Sequence, residues 1–220
     1  MIEQANERPM VVCICGVLAA GKTTLIRSLS EQFTGSAVLV FDEYQEHCEW
    51  PQDLAQWMAE GCDPSDVRNP RLMQDLKLLR SGNAIHHPTD EHTIEPSPII
   101  LLEDPFGRTR PDNADLIDLV LFVDLPWDLS VARMVQRALG LRDLTSQLEA
   151  NDIPKDEIVA RIDSARAWLA GYVSRREMYT RASAPVRATA DVILDAMNPA
   201  DAVSKAALGE IEQWMKRGCA

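Results

Sequence analysis

No run of this 220-residue chain is apolar for long enough to cross a membrane, and residues 2–9 lack the apolar stretch of a secretory leader. Positive charge is scarce. With 22 Lys and Arg against 34 Asp and Glu, the net charge is −12, which argues against a broad electrostatic footprint on DNA or RNA. A local pocket for phosphate is still allowed, because such a pocket can be built from backbone dipoles and a few cations. The five cysteines are Cys13, Cys15, Cys48, Cys62 and Cys219. They form no Cys-x-x-Cys pair, and no second cluster supplies zinc ligands, so reduced thiols in a cytoplasm are the expectation. Internal repeats, low-complexity tracts and long linkers are also missing. What remains is a chain of ordinary apolar content, 46%, sized for one α/β domain, residues 1–220, with a lid or small insertion.

Against these absences stands one run, Gly16-Val17-Leu18-Ala19-Ala20-Gly21-Lys22-Thr23. Glycine, four residues, then Gly-Lys-Thr is the phosphate-loop pattern. Its context fits: residues 10–15 (MVVCIC) read as a buried strand, and residues 25–33 carry apolar positions at helical spacing. A strand that feeds such a loop into a helix turns backbone N–H groups toward an anion, and the helix N-terminus adds partial positive charge. Gly16, Ala19, Ala20, Gly21, Lys22, Thr23 and Thr24 are the expected nucleotide-binding residues. Lys22 would reach the β- and γ-phosphates, and the Thr23 hydroxyl would ligate Mg²⁺. The bland alternative is a chance glycine-rich turn.

Strands are expected at 10–15, 37–41, 99–102, 119–123 and 192–194. Helices are expected at 22–33, near 52–60, and at 70–81, 129–139, 155–181 and 200–216. Continuous apolar strands alternating with helices predict a doubly wound parallel sheet. Two irregular stretches, 61–70 and 83–98, lie between the second and third strands, and the latter holds three histidines and three prolines. Ligands bind beyond the carboxyl ends of such strands, so these stretches are assigned to the acceptor side of the pocket. A plain surface loop is the alternative.

Acidic residues follow two strands. Asp42 ends the second, where it could take the proton of an attacking hydroxyl, hold the metal through water, or be an ordinary polar turn. Glu103 and Asp104 follow the third, and alternation cannot say which faces inward. Arg133 and Arg137 lie four apart on one helix face, suited either to a charge-neutralising cover or to plain solvation, and Arg142 follows after Gly140. Tyr44 could stack on a planar acceptor or simply pack against a helix; His86, His87, His92 and Arg108 could contact hydroxyls or a carboxylate, or the histidines could simply face solvent. Trp50 and Trp57, seven apart, read as packing residues before ligand contacts.

Taken together, GVLAAGKTT, FDEY, NPRLMQDLKLLRSGNAI, ILLED, FVDLPWDLSVARMVQR and ADVILD resemble the uridine kinase and phosphoribulokinase group of P-loop kinases, from about residue 10 to 195. The resemblance implies a five-stranded P-loop NTPase sheet in the order 2-3-1-4-5, an acceptor-binding insertion near 44–97 and a helical lid near 133–165. It implies Asp42 as the base, Glu103 as the metal-side acid, Arg133 and Arg137 as lid arginines, and Asn198 beside adenine. Lys22, Asp42, Arg133 and Arg137 form the catalytic set, Thr23 and Glu103 the metal set, and Tyr44, His87 and Arg108 the acceptor set. ATP and Mg²⁺ are implied, with a hydroxylated small molecule such as a nucleoside as acceptor.

The chain departs from that group at Val17 and Leu18, where a glycine and a small hydroxyl residue are common. It departs again at His87-Pro88-Thr89-Asp90, where the group often has Pro-x-Tyr-Asp. Three other functions compete with this reading. Asp104-Pro105-Phe106-Gly107 matches a GTPase Asp-x-x-Gly, but no Asn-Lys-x-Asp specifies guanine. A nucleoside monophosphate kinase would need cations for an acceptor phosphate, and only Arg68, Arg71, Lys77 and Arg80 are offered. A non-catalytic nucleotide-binding protein is the third. The sequence leaves a homodimer open.

Overall fold

The structure, a computed structural model, describes residues 8–150 and 153–218. Residues 1–7 and Cys219 lie outside the described residues, as does the Arg142 side chain. Five parallel strands form the main sheet: β1 (Met10–Gly16), β2 (Ala37–Val40), β5 (Ile99–Glu103), β6 (Leu119–Asp124) and β7 (Val192–Asp195). Their spatial order is β2-β5-β1-β6-β7. Counting only these strands along the chain, that is 2-3-1-4-5, the expected order. Consecutive residues Val11 to Cys15 are fully buried, so both faces of β1 are covered. That double burial explains why the central strands read as unbroken apolar runs.

Helices flank the sheet. α1 (Lys22–Gln32) and α8 (Ala200–Gly218) pack on one another along β5 and β7. α3 (Pro70–Arg80) lies against β2, and α7 (Lys155–Ala188) against β1 and α5 (Trp127–Leu139). The shorter α2 (Leu54–Ala59), α4 (Pro111–Ala114) and α6 (Leu141–Glu149) complete the set. A two-residue hairpin, β3 (Ile85–His86) with β4 (Thr93–Ile94), forms within the histidine-rich stretch.

Most ends shift by a residue or two, and the larger departures are in the helices after β6. α7 runs on past Pro185 to Ala188. Proline in a helix removes one N–H and crowds the preceding turn, which is why the sequence reading ends at 181. α5 starts at Trp127, with Pro126 directly before its first turn. α6 was not expected, since an αL glycine, Gly140 at φ 62°, both ends α5 and opens α6.

One close approach fixes the start of the phosphate loop. Gly16 pairs with Val123 of β6, and a Cβ at Gly16 would stand 2.3 Å from the Val123 carbonyl oxygen, at φ 141°. Only glycine fits there.

Candidate active site

The site is built on the carboxyl rim of the sheet. After Gly16 the chain curls through 17–21 and enters α1. Ala19 takes a left-handed φ of 54° and Gly21 one of 103°. A non-glycine residue there costs about 1 kcal/mol, a strain held by the surrounding loop. α1 has Gly21 at its N-cap, no side-chain cap and no acidic residue in its first turn. By contrast, Asp53 and Asn69 cap α2 and α3 with side-chain oxygens. The first N–H groups of α1 thus have no side-chain cap to accept from them, the arrangement that suits an anion.

Lys22 and Thr23 open that helix and meet Glu103. Lys22 Nζ donates to the Val17 carbonyl at 3.4 Å, across the loop, and lies 3.7 Å from Glu103 Oε1. Thr23 Oγ1 donates to Glu103 Oε2 at 3.3 Å. Burial pushes the Glu103 carboxyl above its ordinary range; the Lys22 ammonium opposes that shift and the nearby Asp42 charge adds to it. Glu103 can therefore sit beside the loop because β5 is the direct neighbour of β1, with Ile14 and Val40 in register on either side of it.

Asp42 follows β2 on a 3₁₀ helix, Phe41–His47. Its side chain is exposed, and Asp42 Oδ1 accepts from Gln45 Nε2 at 3.1 Å. Arg133 donates from Nη1 to the Ala19 carbonyl at 3.4 Å and from Nη2 to the Ala196 carbonyl at 2.9 Å. It thereby joins the phosphate loop to the turn after β7. Arg137, one turn further along α5, is exposed. Asn198 lies in that turn, where its amide donates to the Asp195 carbonyl at 3.2 Å, and its side chain is exposed.

Some expected residues are not brought to this rim. Arg108 lies at the opposite end of the sheet. Its guanidinium donates to the Ile117 and Asp118 carbonyls and pairs with Asp191, all before β6 and β7. Tyr44 is fully buried, and its hydroxyl donates to Asp75 at 3.1 Å. Burial together with the Asp75 charge holds that phenol in its neutral form. It is a packing residue, with no face for an acceptor. Asp104 turns inward, into a fully buried pair with Arg110, and burial pushes its carboxyl up despite that partner. The alternation along β5 thus separates its two acids: Glu103 faces the loop and Asp104 the interior. A GTPase-like role for Asp104 finds no support in that placement. His87 sits on the hairpin, its Nε2 3.1 Å from Glu43 Oε2. Trp50 lies outside α2 but meets Trp57 edge-to-face at 6.4 Å.

Two contributors were missed from sequence. Ser130 is buried and donates to the Leu18 carbonyl at 2.7 Å, tying α5 to the phosphate loop. Its place one turn before Arg133 was the available signal. Arg110 lies 5.7 Å from the Phe41 ring centroid and 5.3 Å from that of Phe106. A lone arginine in a turn gives no sign of such burial.

The chain is similar to curated uridine kinases. It is 28% identical over 156 residues to that of Ligilactobacillus salivarius, covering 64% of this chain and 72% of the relative. It is 26% identical over 154 residues to that of Bacillus cytotoxicus, with the same coverages. No protein-family model matches. Among solved structures, a gluconokinase from Sinorhizobium meliloti aligns over 96% of this chain and 97% of its own, at 12% identity and a TM-score of 0.46. A sugar kinase from Janibacter sp. aligns over 93% and 95%, at 17% identity and a TM-score of 0.44.

Proposed function

We propose that this protein is a small-molecule kinase that transfers the γ-phosphoryl group of ATP to a hydroxyl, with a nucleoside as the first acceptor to test. The observation that carries the proposal is the meeting of Lys22, Thr23 and Glu103 at the uncapped start of α1, with Asp42 beside them. The similarity to uridine kinases supports the reaction class.

The first N–H groups of α1 and the Lys22 ammonium hold the phosphate tail. Lys22 already lies over the loop, so little reorganisation is needed when an anion replaces the Val17 carbonyl as its partner. The hydroxyl and carboxylate oxygens of Thr23 and Glu103 are hard donors of the kind Mg²⁺ takes, and they would hold it. Bound there, the ion would neutralise charge on the phosphate oxygens. Asp42 is exposed on the same rim and orients the acceptor hydroxyl and accepts its proton. Arg133, now on two backbone carbonyls, and Arg137 lie on the helix that faces the loop and would offset charge on the transferred group.

A monophosphate acceptor is less well served. Of the four cations named for it, Arg71 is taken by Asp75 and the His86 carbonyl and Arg80 by Asp118, which leaves Arg68 and Lys77.

The test is ADP release with Mg²⁺, ATP and a panel of nucleosides, sugars and hydroxy acids, with Lys22→Ala as control. Acceptor-dependent ADP release, lost in Lys22→Ala, is the expected result. Turnover that survives in Lys22→Ala, or none with any acceptor, would overturn the proposal.

A further inference from the structure

The β3–β4 hairpin gathers side chains that phosphoryl transfer does not use. Its backbone is closed at the tip by the His87 N–H donating to the His92 carbonyl at 2.8 Å, and by the Glu91 N–H donating to the His87 carbonyl at 3.2 Å. These bonds set the two imidazoles side by side, with ring centroids 4.6 Å apart. Asp90 lies between them. Its Oδ1 is 2.9 Å from His87 Nδ1 and 2.6 Å from His92 Nδ1. One ligand atom from each of the three residues falls within 4.8 Å of the others.

His87 has a carboxylate on each side. Its Nε2 is 3.1 Å from the Glu43 carboxylate and its Nδ1 is 2.9 Å from the Asp90 carboxylate. The same Nδ1 meets the Thr89 hydroxyl at 3.0 Å and the Thr89 N–H at 3.4 Å. His87 is nearly buried, and Glu43 stands behind it as the carboxylate that commonly orients a metal-bound histidine.

We propose that His87, Asp90 and His92 form a binding site for one divalent transition-metal ion of the zinc type, oriented by Glu43. Two imidazole nitrogens and a carboxylate oxygen suit zinc, nickel or copper and do not suit magnesium or calcium. Tetrahedral ligands about 2.1 Å from zinc stand roughly 3.4 Å apart, so Asp90 need only open by under about 1 Å. Asp90 and His92 are exposed, leaving the fourth position to water or a ligand from the adjoining groove of about 400 Å³. Such an ion would tie the hairpin, through His87 and Glu43, to the 3₁₀ helix that bears Asp42.

The test is titration of the full chain with Zn²⁺ in excess Mg²⁺ and without nucleotide, read by calorimetry and equilibrium dialysis. Turnover is not needed, so the outcome is separate from that of the kinase proposal. We expect one Zn²⁺ per chain, at least tenfold weaker binding in Asp90→Asn and in His92→Ala, and a Co²⁺ spectrum without a thiolate charge-transfer band. No stoichiometric uptake would mean that hydrogen bonds alone hold the three side chains together, and the proposal fails. It fails equally if both variants bind as wild type, or if a thiolate band places the metal on cysteine.

Discussion

Asp42 and Glu103 are two acids on one rim with different surroundings. Asp42 is exposed, and its only side-chain partner among the described residues is Gln45. Removing its charge should leave the phosphate grip intact. Asp42→Asn is expected to lower kcat by about a hundredfold or more with ATP affinity little changed. Steady-state kinetics and nucleotide titration check this, and a fully active variant would remove Asp42 from its role. Glu103 is largely buried, and burial raises its carboxyl pKa in the folded protein above the ordinary value. The folded state then binds the proton more tightly than the unfolded state does. Stability contributed by Glu103 is therefore greatest at acid pH and is lost as pH rises through the raised pKa. Nucleotide-free Glu103→Gln should accordingly melt higher than wild type at neutral pH, and the gain should vanish near the ordinary carboxylate pKa of about 4. Melting curves across that range decide it; a less stable variant at neutral pH would show that the Lys22 contact outweighs burial. The same variant should lose Mg²⁺-dependent turnover.

The strand–loop–helix element depends on Gly16 in a way that can be measured. Gly16→Ala would drive a methyl group into the Val123 carbonyl, on backbone rather than on a movable side chain. We expect a loss of roughly 3 kcal/mol or more, beyond the usual range for a single substitution, with nucleotide binding lost alongside. Urea denaturation checks the first and calorimetry the second. This element was legible in the sequence because each layer agreed: an apolar run, a spaced glycine motif and a helical period. The sheet order was legible only through family resemblance, since apolar runs do not state their neighbours. Elements fixed by long-range contacts were not legible. Stacking and packing both suit Tyr44 by sequence, and Asp75, 31 positions on, decides for packing by taking its hydroxyl. Arg108 looked like an acceptor contact until the turn after β5 carried it to the far end of the sheet, beside Asp191. α6 was hidden because Gly140 read as an end when it is also a start.

At the scale of the molecule, an ion pair lies inside the core, where Asn113 also donates to Asp104. Arg110 and Asp104 are both fully buried, and Arg110 Nε and Nη1 have no partner within the described residues. Asp104→Asn leaves the guanidinium without its counter-charge and is expected to cost about 3–5 kcal/mol by denaturant titration. Replacing both residues with apolar ones of similar size should cost far less, which would separate the penalty of an orphaned charge from the worth of the pair. Under the proposed mechanism, the location of this pair bears on catalysis. Phe41, which leans on the guanidinium, is the residue before Asp42, and Asp104, which binds it, is the residue after Glu103. The gauge between the two rim acids is therefore set from beneath, by one interior cation acting as a common mooring for two strand ends.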